Sequence, residues 1–489
     1  MGTSPLAAKL IALCRSRWFA PWRLIVALMV ALAIWGVADV RRRGYAQPVN
    51  DHRTDLTVYT EAGAAFFDGR PPYQVHNPRG WTYVYPPILA MLLAPLHRLP
   101  PQHQVMVWFF LCMAMGYDAY RQTARIVTIL GRRDGDRTIT PACRFPWLGL
   151  IAASAAALPT LNCLQRGQVT IVLLYFLLLG LRWLLDGRPL LGGVVLALPI
   201  AIKMVPALPI ALVVSVQLVA YVRQRRLRSE AEQPLGRQLL GSTLGITAGL
   251  ALFFLLIPAA LVGWHANLQH LQTWNRLVLS NADENTTTPG YEKDTHSVRN
   301  QCLGNALYRL GNFGSYLWLG GPMDPMIDEE DHPPPRMMDQ PIVHVCLLSV
   351  RLSLLLTLLL TALRLGADRD VRLSQAAAFG LGCAALLILS PVARNHYFVL
   401  IAPAVLFVPL WLSRRGWPRG ATLLALTPGL LILLQYTLLP YVGRVGLLGL
   451  GMTAWLLTAM TMTARTQPLD GPTINLEPSI EESNHRAAA

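Results

Sequence analysis

Apolar residues in this chain run in long blocks broken by short polar turns, with little of the alternation that marks a half-buried strand. The clearest blocks are Leu24–Val37, Val169–Leu185, Met204–Val222, Leu239–Val262, Val343–Leu363, Phe398–Leu412 and Leu423–Leu439. Most approach or reach the roughly 17–25 residues that carry a helix across hydrocarbon. Adding shorter stretches, the pattern predicts crossings near 22–38, 104–119, 147–160, 168–185, 190–202, 204–222, 239–262, 342–363, 375–390, 397–412, 421–440 and 446–464. The expectation is an all-α polytopic membrane protein of about twelve transmembrane helices. Residues 1–21 precede the first crossing, the membrane domain spans 22–464, and the polar tail 465–489 lacks periodicity and reads as disordered. Two long polar segments, 39–85 and 263–341, interrupt the regular spacing.

Charge fixes the sidedness of this pattern. Only 14% of residues are charged and 53% are hydrophobic, against about 25% charged in an ordinary globular domain. The formal net charge of +15 is spread over short loops. It falls at Arg121–Arg144, Arg182/Arg188, Arg223–Arg228, Arg369/Arg372 and Arg414–Arg419, in every second connection. An excess of Lys and Arg in cytoplasmic loops sets orientation in this way, and it accounts for the basic balance without nucleic acid. Both long polar segments then fall outside. Lys9, Arg15, Arg17 and Arg23 before the first block resemble the start of a signal peptide, but the segment is read as an uncleaved first helix. The seven cysteines show no CxxC or paired spacing, so no metal site or disulfide framework is indicated.

Candidate chemistry collects at the outer ends of the predicted helices. Asp55 follows the first crossing, Arg166 and Gln168 lie in a short outer turn, and Lys203 sits between prolines 199 and 206. His296, Asn300, Gln301 and Asn305 lie in the second long segment. Arg394, Asn395 and His396 form another outer turn, while Arg351 interrupts an apolar block. Charges inside membranes are costly and usually face a common cavity, so these separated stretches are expected to converge. A carboxylate at such a cavity can take the proton of an acceptor hydroxyl. Lys and Arg can receive a phosphate leaving group. That combination fits sugar transfer from a lipid phosphate, with Lys203, Arg351 and Arg166 on the phosphate. A transporter or flippase of lipid-linked sugars is the alternative, although no internal repeat is visible.

The first outer segment carries further detail: Asp55 to Tyr59, Ala62-Gly63, Gly69 to Tyr73, Tyr83 to Pro87, Ala94-Pro95-Leu96 and Leu99-Pro100. Downstream come Gly167-Gln168 opening a helix, Gly192-Gly193 leading to Lys203 and Pro206, Asn300 to Leu303, and Ser390-Pro391 followed by His396. In this order the set resembles glycosyltransferase family 87, of the GT-C superfamily, over roughly residues 20–410. The resemblance implies a GT-C-type bundle and a polyprenyl-phosphate-mannose-dependent mannosyltransferase acting on a glycolipid or glycan. No cofactor or metal is expected, since no DxD-type cluster is placed to hold a divalent ion. The setting it implies is the outer face of a bacterial inner membrane. It matches Asp55 to the family's catalytic carboxylate and His396 to the histidine after its Ser-Pro motif, and both are expected to be catalytic. Gln168, Tyr85, Asn300, Gln301 and Asn395 are the expected substrate-binding residues. Tyr83, Tyr85 and Trp81 also read as interfacial anchors. Thr170 and Cys302 stand where the family often has Asn and Ser. Asp55 has no partner carboxylate at a recognisable spacing, so single displacement with inversion is the expected course.

Overall fold

The computed structural model describes residues 30, 31, 34, 54–76, 82–131, 146–226, 232–279, 300–307, 309–310, 341–438 and 445–466. The predicted first crossing and polar tail lie almost wholly outside these residues, as do Trp81, His296 and most of the second long segment. The described chain is helical. In order come α1 (Leu56–Phe67), α2 (Pro87–Leu93), α3 (Pro101–Gly131), α4 (Pro146–Arg166), α5 (Thr170–Leu185), α6 (Pro189–Ile202), α7 (Ala207–Arg226) and α8 (Glu232–Ala251). They are followed by α9 (Ile257–Val262), α10 (Trp264–Trp274), α11 (Pro341–Gly366), α12 (Val371–Leu389), α13 (Ala402–Arg414), α14 (Pro418–Thr437) and α15 (Leu447–Arg465). A 3₁₀ turn, Asn395–Ile401, leads into α13.

Eight stretches among the described residues are long and apolar enough to cross a membrane, so the protein is multi-pass; about twelve were expected. Of the four that differ, 22–38 lies outside the described residues and the other three are identifiable helices. α5 and α6 are apolar but only 16 and 14 residues long. α3 has 31 residues, about 46 Å, but carries Asp118, Arg121 and Arg125 within it. The crossing expected at 104–119 is therefore corrected to a longer helix. No Gly or Pro follows Ala119 until Gly131, and the Ala, Gln, Arg and Leu of the last turns favour continued winding.

The long polar segments also hold more order than their composition indicated. In α1, Leu56, Val58, Tyr59, Ala62, Ala65 and Phe66 are buried, which is the spacing of an amphipathic helix. The second segment opens with α10 after Gly263. Between α8 and α9 the helix widens into a π turn at Leu252–Leu256. Pro258 follows it and has no N–H to give the Phe254 carbonyl four residues back. The buried Asn267 side chain of α10 donates to that carbonyl instead, at 2.9 Å.

Helix directions alternate between two ends. At one end Arg414 donates to the Leu130 carbonyl at 2.8 Å, Arg364 to that of Thr466 at 2.9 Å, and Gln238 to that of Leu184 at 3.2 Å. Asp368 and Arg415 form a buried ion pair there. These contacts gather the C-termini of α3, α5, α11, α13 and α15 with the N-termini of α8 and α12. α12 is buried around its whole circumference, from Leu373 to Ile388, and packs against α7, α11, α13 and α15. It is the axis of the bundle. The opposite end carries Asp55.

Candidate active site

The site grows from one close approach. Gly167 has φ +65°, a conformation that favours glycine. It ends α4 and turns the chain directly into α5. A Cβ there would meet Leu56 Cβ at 3.1 Å and Thr54 Cβ at 3.2 Å, so only glycine lets this turn lie against the start of α1. The Asp55 backbone N–H donates to the Arg166 carbonyl at 2.8 Å. Gln168 Nε2 then donates to Asp55 Oδ2. Asp55 is the N-cap residue of α1 and is 4% exposed, and the helix N-terminus favours its negative charge. Tyr59, one turn along α1, donates its hydroxyl to Gln168 Oε1 at 3.4 Å. Cys163 Sγ donates to the Gln168 carbonyl at 3.3 Å.

Lys203 faces this carboxylate from the short connection between α6 and α7. Its backbone is extended, φ −157°, after Pro199 interrupts the last turn of α6. The ammonium lies 3.6 Å from the Tyr397 ring centre and 5.3 Å from that of Tyr85. These faces attract a cation and hold it in place. Burial, with Arg394 close by, lowers the Lys203 pKa to about 7; the Asp55 charge acts in the opposite sense.

His396 sits beside these groups at 1% exposure, its ring 4.6 Å from that of Tyr397 in an edge-on arrangement. Among the described residues neither ring nitrogen has a hydrogen-bond partner. Lys203, Arg166 and Arg394 are all near enough to act on it electrostatically. Lys203, Arg166 and Arg394 thus gather around one buried imidazole, with the Asp55 carboxylate near Lys203, in a setting suited to an anionic ligand.

The remaining expected residues divide. Asn395 is 9% exposed beside His396. Asn300 and Gln301 are buried and spend their side chains on the chain itself. Asn300 Oδ1 accepts from the Ala393 N–H at 2.8 Å, and Gln301 Oε1 accepts from the Gly449 N–H at 3.3 Å. They fasten this part of the second long segment to the strip that carries Arg394 and His396 and to the start of α15. Tyr85 stands in an aromatic cluster with Tyr59 and Tyr83, at 5.4 and 5.9 Å between ring centres. Tyr83, expected at the membrane interface, is instead 1% exposed. Its hydroxyl donates to the Pro86 carbonyl at 2.5 Å and accepts from the Ala90 N–H at 3.2 Å, which satisfies it inside the protein. Arg351 lies along α11, which packs chiefly on α7, α12 and α15.

Sequence reasoning passed over Tyr59 and Tyr397 as site residues. Tyr59 is four residues after Asp55 and shares its helix face; Tyr397 adjoins His396. The spacing was readable once α1 was known to be a helix.

The model of Glycosyltransferase family 87 matches residues 83–391, well over half of the chain. Tyr85, Arg166, Gln168, Lys203, Asn300, Gln301 and Arg351 fall within the match; Asp55, Asn395 and His396 flank it. No curated protein matches the chain.

Proposed function

Because the chain belongs to glycosyltransferase family 87, we propose that it transfers a hexose, mannose, from a polyprenyl-phosphate sugar to a glycolipid or glycan. The reaction takes place at the outer face of a bacterial inner membrane. Membership makes it a membrane glycosyltransferase acting on a sugar donor and an acceptor, and this sets aside the transporter alternative.

The observation that carries the donor assignment is the gathering of Lys203, Arg394 and Arg166 around the buried His396, with the Asp55 carboxylate within electrostatic reach of Lys203. A donor phosphate is singly negative as a diester and gains charge as its bond to the sugar breaks. Preorganised cations in a water-poor site lower the energy of that developing charge. The acceptor hydroxyl attacks the anomeric carbon from the side opposite the phosphate. The bond from that carbon to the phosphate oxygen breaks, its electron pair leaving with polyprenyl phosphate. The hydroxyl proton passes to Asp55, a general-base role typically worth about 10²–10⁴-fold in rate. The anomeric configuration inverts, and no divalent ion takes part.

The test is Asp55→Asn, which keeps the shape of the side chain and removes its basicity. With labelled polyprenyl-phosphate mannose it should bind donor as the wild type does and lose nearly all turnover, while EDTA leaves the wild type active. Near-normal turnover by Asp55→Asn, or a product that retains the donor configuration, would overturn the reading.

A further inference from the structure

We propose that Gln168 is a positioning residue for Asp55, and that Tyr59 fixes which end of the Gln168 amide the carboxylate meets. This inference rests on the general-base reading above and gives Gln168 a task other than binding substrate.

An ionised carboxylate only accepts hydrogen bonds, whereas a glutamine amide can present either a carbonyl or an NH₂ group. The two ends have similar shape, so packing alone discriminates weakly between them. Chemistry discriminates strongly. With Nε2 toward Asp55 Oδ2 the contact is a charge-assisted hydrogen bond; with Oε1 there, two acceptors would oppose each other in a buried site. Tyr59 selects the first arrangement by donating to Oε1. Burial, reinforced by the Asp55 charge, holds the Tyr59 pKa well above its usual value, so the phenol stays a donor through the working range. The Gln168 backbone is fixed independently, because its N–H donates to the Cys163 carbonyl at 3.0 Å and its own carbonyl accepts from Cys163 Sγ. The chain from Tyr59 to Gln168 to Asp55 is thus directional.

Two effects on the base follow. Hydrogen bonding to the charged form of a carboxylate favours ionisation, which opposes the penalty that burial places on the Asp55 charge. Engaging Oδ2 also sets the rotation of the carboxylate, so that its other oxygen keeps one direction. Other groups acting on Asp55 must be accounted for in any test. These are Lys203 on the α6–α7 connection and Tyr59 on α1; behind them Arg394 acts on Lys203, and Arg166 with Arg394 on His396.

The experiment measures kcat and KM for both substrates as functions of pH in wild type, Gln168→Ala and Tyr59→Phe. Tyr59→Phe keeps the ring contacts with Tyr83 and Tyr85 and removes the hydroxyl with its hydrogen bonds to Gln168 and Tyr85, so Tyr85→Phe is measured beside it and should leave the limb in place. Gln168→Ala should lower kcat roughly 10–100-fold, in line with the effect of losing orientation at a reacting group. Its KM values should stay within about twofold of wild type, and the acid limb of the kcat profile should move upward by about one pH unit. Tyr59→Phe should move that limb in the same direction by less. If Gln168→Ala cannot be purified folded, Tyr59→Phe decides alone: an upward move supports the relay and an unmoved limb overturns it. A raised KM with unchanged kcat and an unmoved limb would make Gln168 a substrate-binding residue. Turnover by Asp55→Asn would overturn the base assignment itself, so failure of the two readings is told apart.

Discussion

Replacing Gly167 by alanine tests whether the α4–α5 turn sets the catalytic geometry. The variant bears two separable costs. First, a side chain at φ +65° pays roughly 1–2 kcal/mol for the left-handed conformation. Second, its Cβ would lie 3.1 and 3.2 Å from the Cβ atoms of Leu56 and Thr54, inside the ~3.5–4.0 Å optimum for carbon pairs. Those two residues flank Asp55, so the few tenths of an ångström needed for relief are passed to the carboxylate and to its Gln168 contact. A misplacement of about 1 Å can cost about 100-fold in rate; a shift of a third of that should cost about 3–30-fold, or ~0.7–2 kcal/mol. Gly187 supplies the control. It has φ +80°, lies at the other end of the bundle, and nothing stands within 4 Å of the Cβ position. Gly187→Ala should show the stability loss without the kinetic one. Thermal unfolding in detergent, followed by tryptophan fluorescence, reads the first cost, and kcat per mole of folded enzyme reads the second. Equal turnover in the two variants would refute the argument that the Gly167 contact positions Asp55.

Lys203→Ala should weaken donor binding by roughly 1.5–3 kcal/mol, about 10–150-fold, measured with a non-transferable phosphodiester analogue. Because the Lys203 pKa is lowered to about 7, the free enzyme loses this charge as pH rises through 7. Wild-type affinity should be flat below that point and fall about tenfold per pH unit above it, whereas Lys203→Arg, which stays charged, should bind more weakly than wild type at pH 6 and show no such fall. Single cysteines at Gly69 and Gly187 in a cysteine-free background test sidedness: the first should react with an impermeant reagent in intact cells and the second should not. Reversal of that labelling would move the proposed site to the cytoplasmic face. At the end away from the site, Asp368→Asn removes the charge paired with Arg415, which is 3% exposed in its side chain and keeps only the more distant Asp370 charge, and should destabilise the protein by about 1–3 kcal/mol. The kcat of the surviving folded fraction should be unchanged, and a large loss of kcat would show that the two ends are coupled.

The class of protein was legible in the sequence because bilayer thickness imposes a length on apolar blocks, and the basic loops mark alternate turns. The helices least well placed were those under competing demands. α3 runs past its apolar core because its polar last turns still favour helix. α1 was hidden inside a segment judged by average polarity, although Leu56, Tyr59, Ala62, Gly63 and Phe66 already lay on one helical face. Tyr83 misled for a related reason: an aromatic residue next to prolines fits an interfacial anchor, and only the fold reveals that Pro86 and Ala90 satisfy its hydroxyl.

The candidate site was legible by residue type and not by pairing. Alternating crossings put every second helix end at one level, so Asp55, Gln168, Lys203 and His396 could be expected near one another from topology alone. Which atoms meet is decided elsewhere, by small residues that permit backbones to approach. Gly167 brings α4 against α1, and Gly63, whose Cβ would lie 2.4 Å from the Ala90 carbonyl oxygen, brings α1 against α2 and the tyrosines before it. Asn300 and Gln301 show the converse. The resemblance drew them into the expected substrate-binding set, yet a buried stretch of loop must also satisfy its own backbone groups. Here Asn300 and Gln301 satisfy the N–H groups of Ala393 and Gly449. In such a site a buried amide is as readily a fastening for the chain as a contact for the ligand, and only the identity of its partners separates the two.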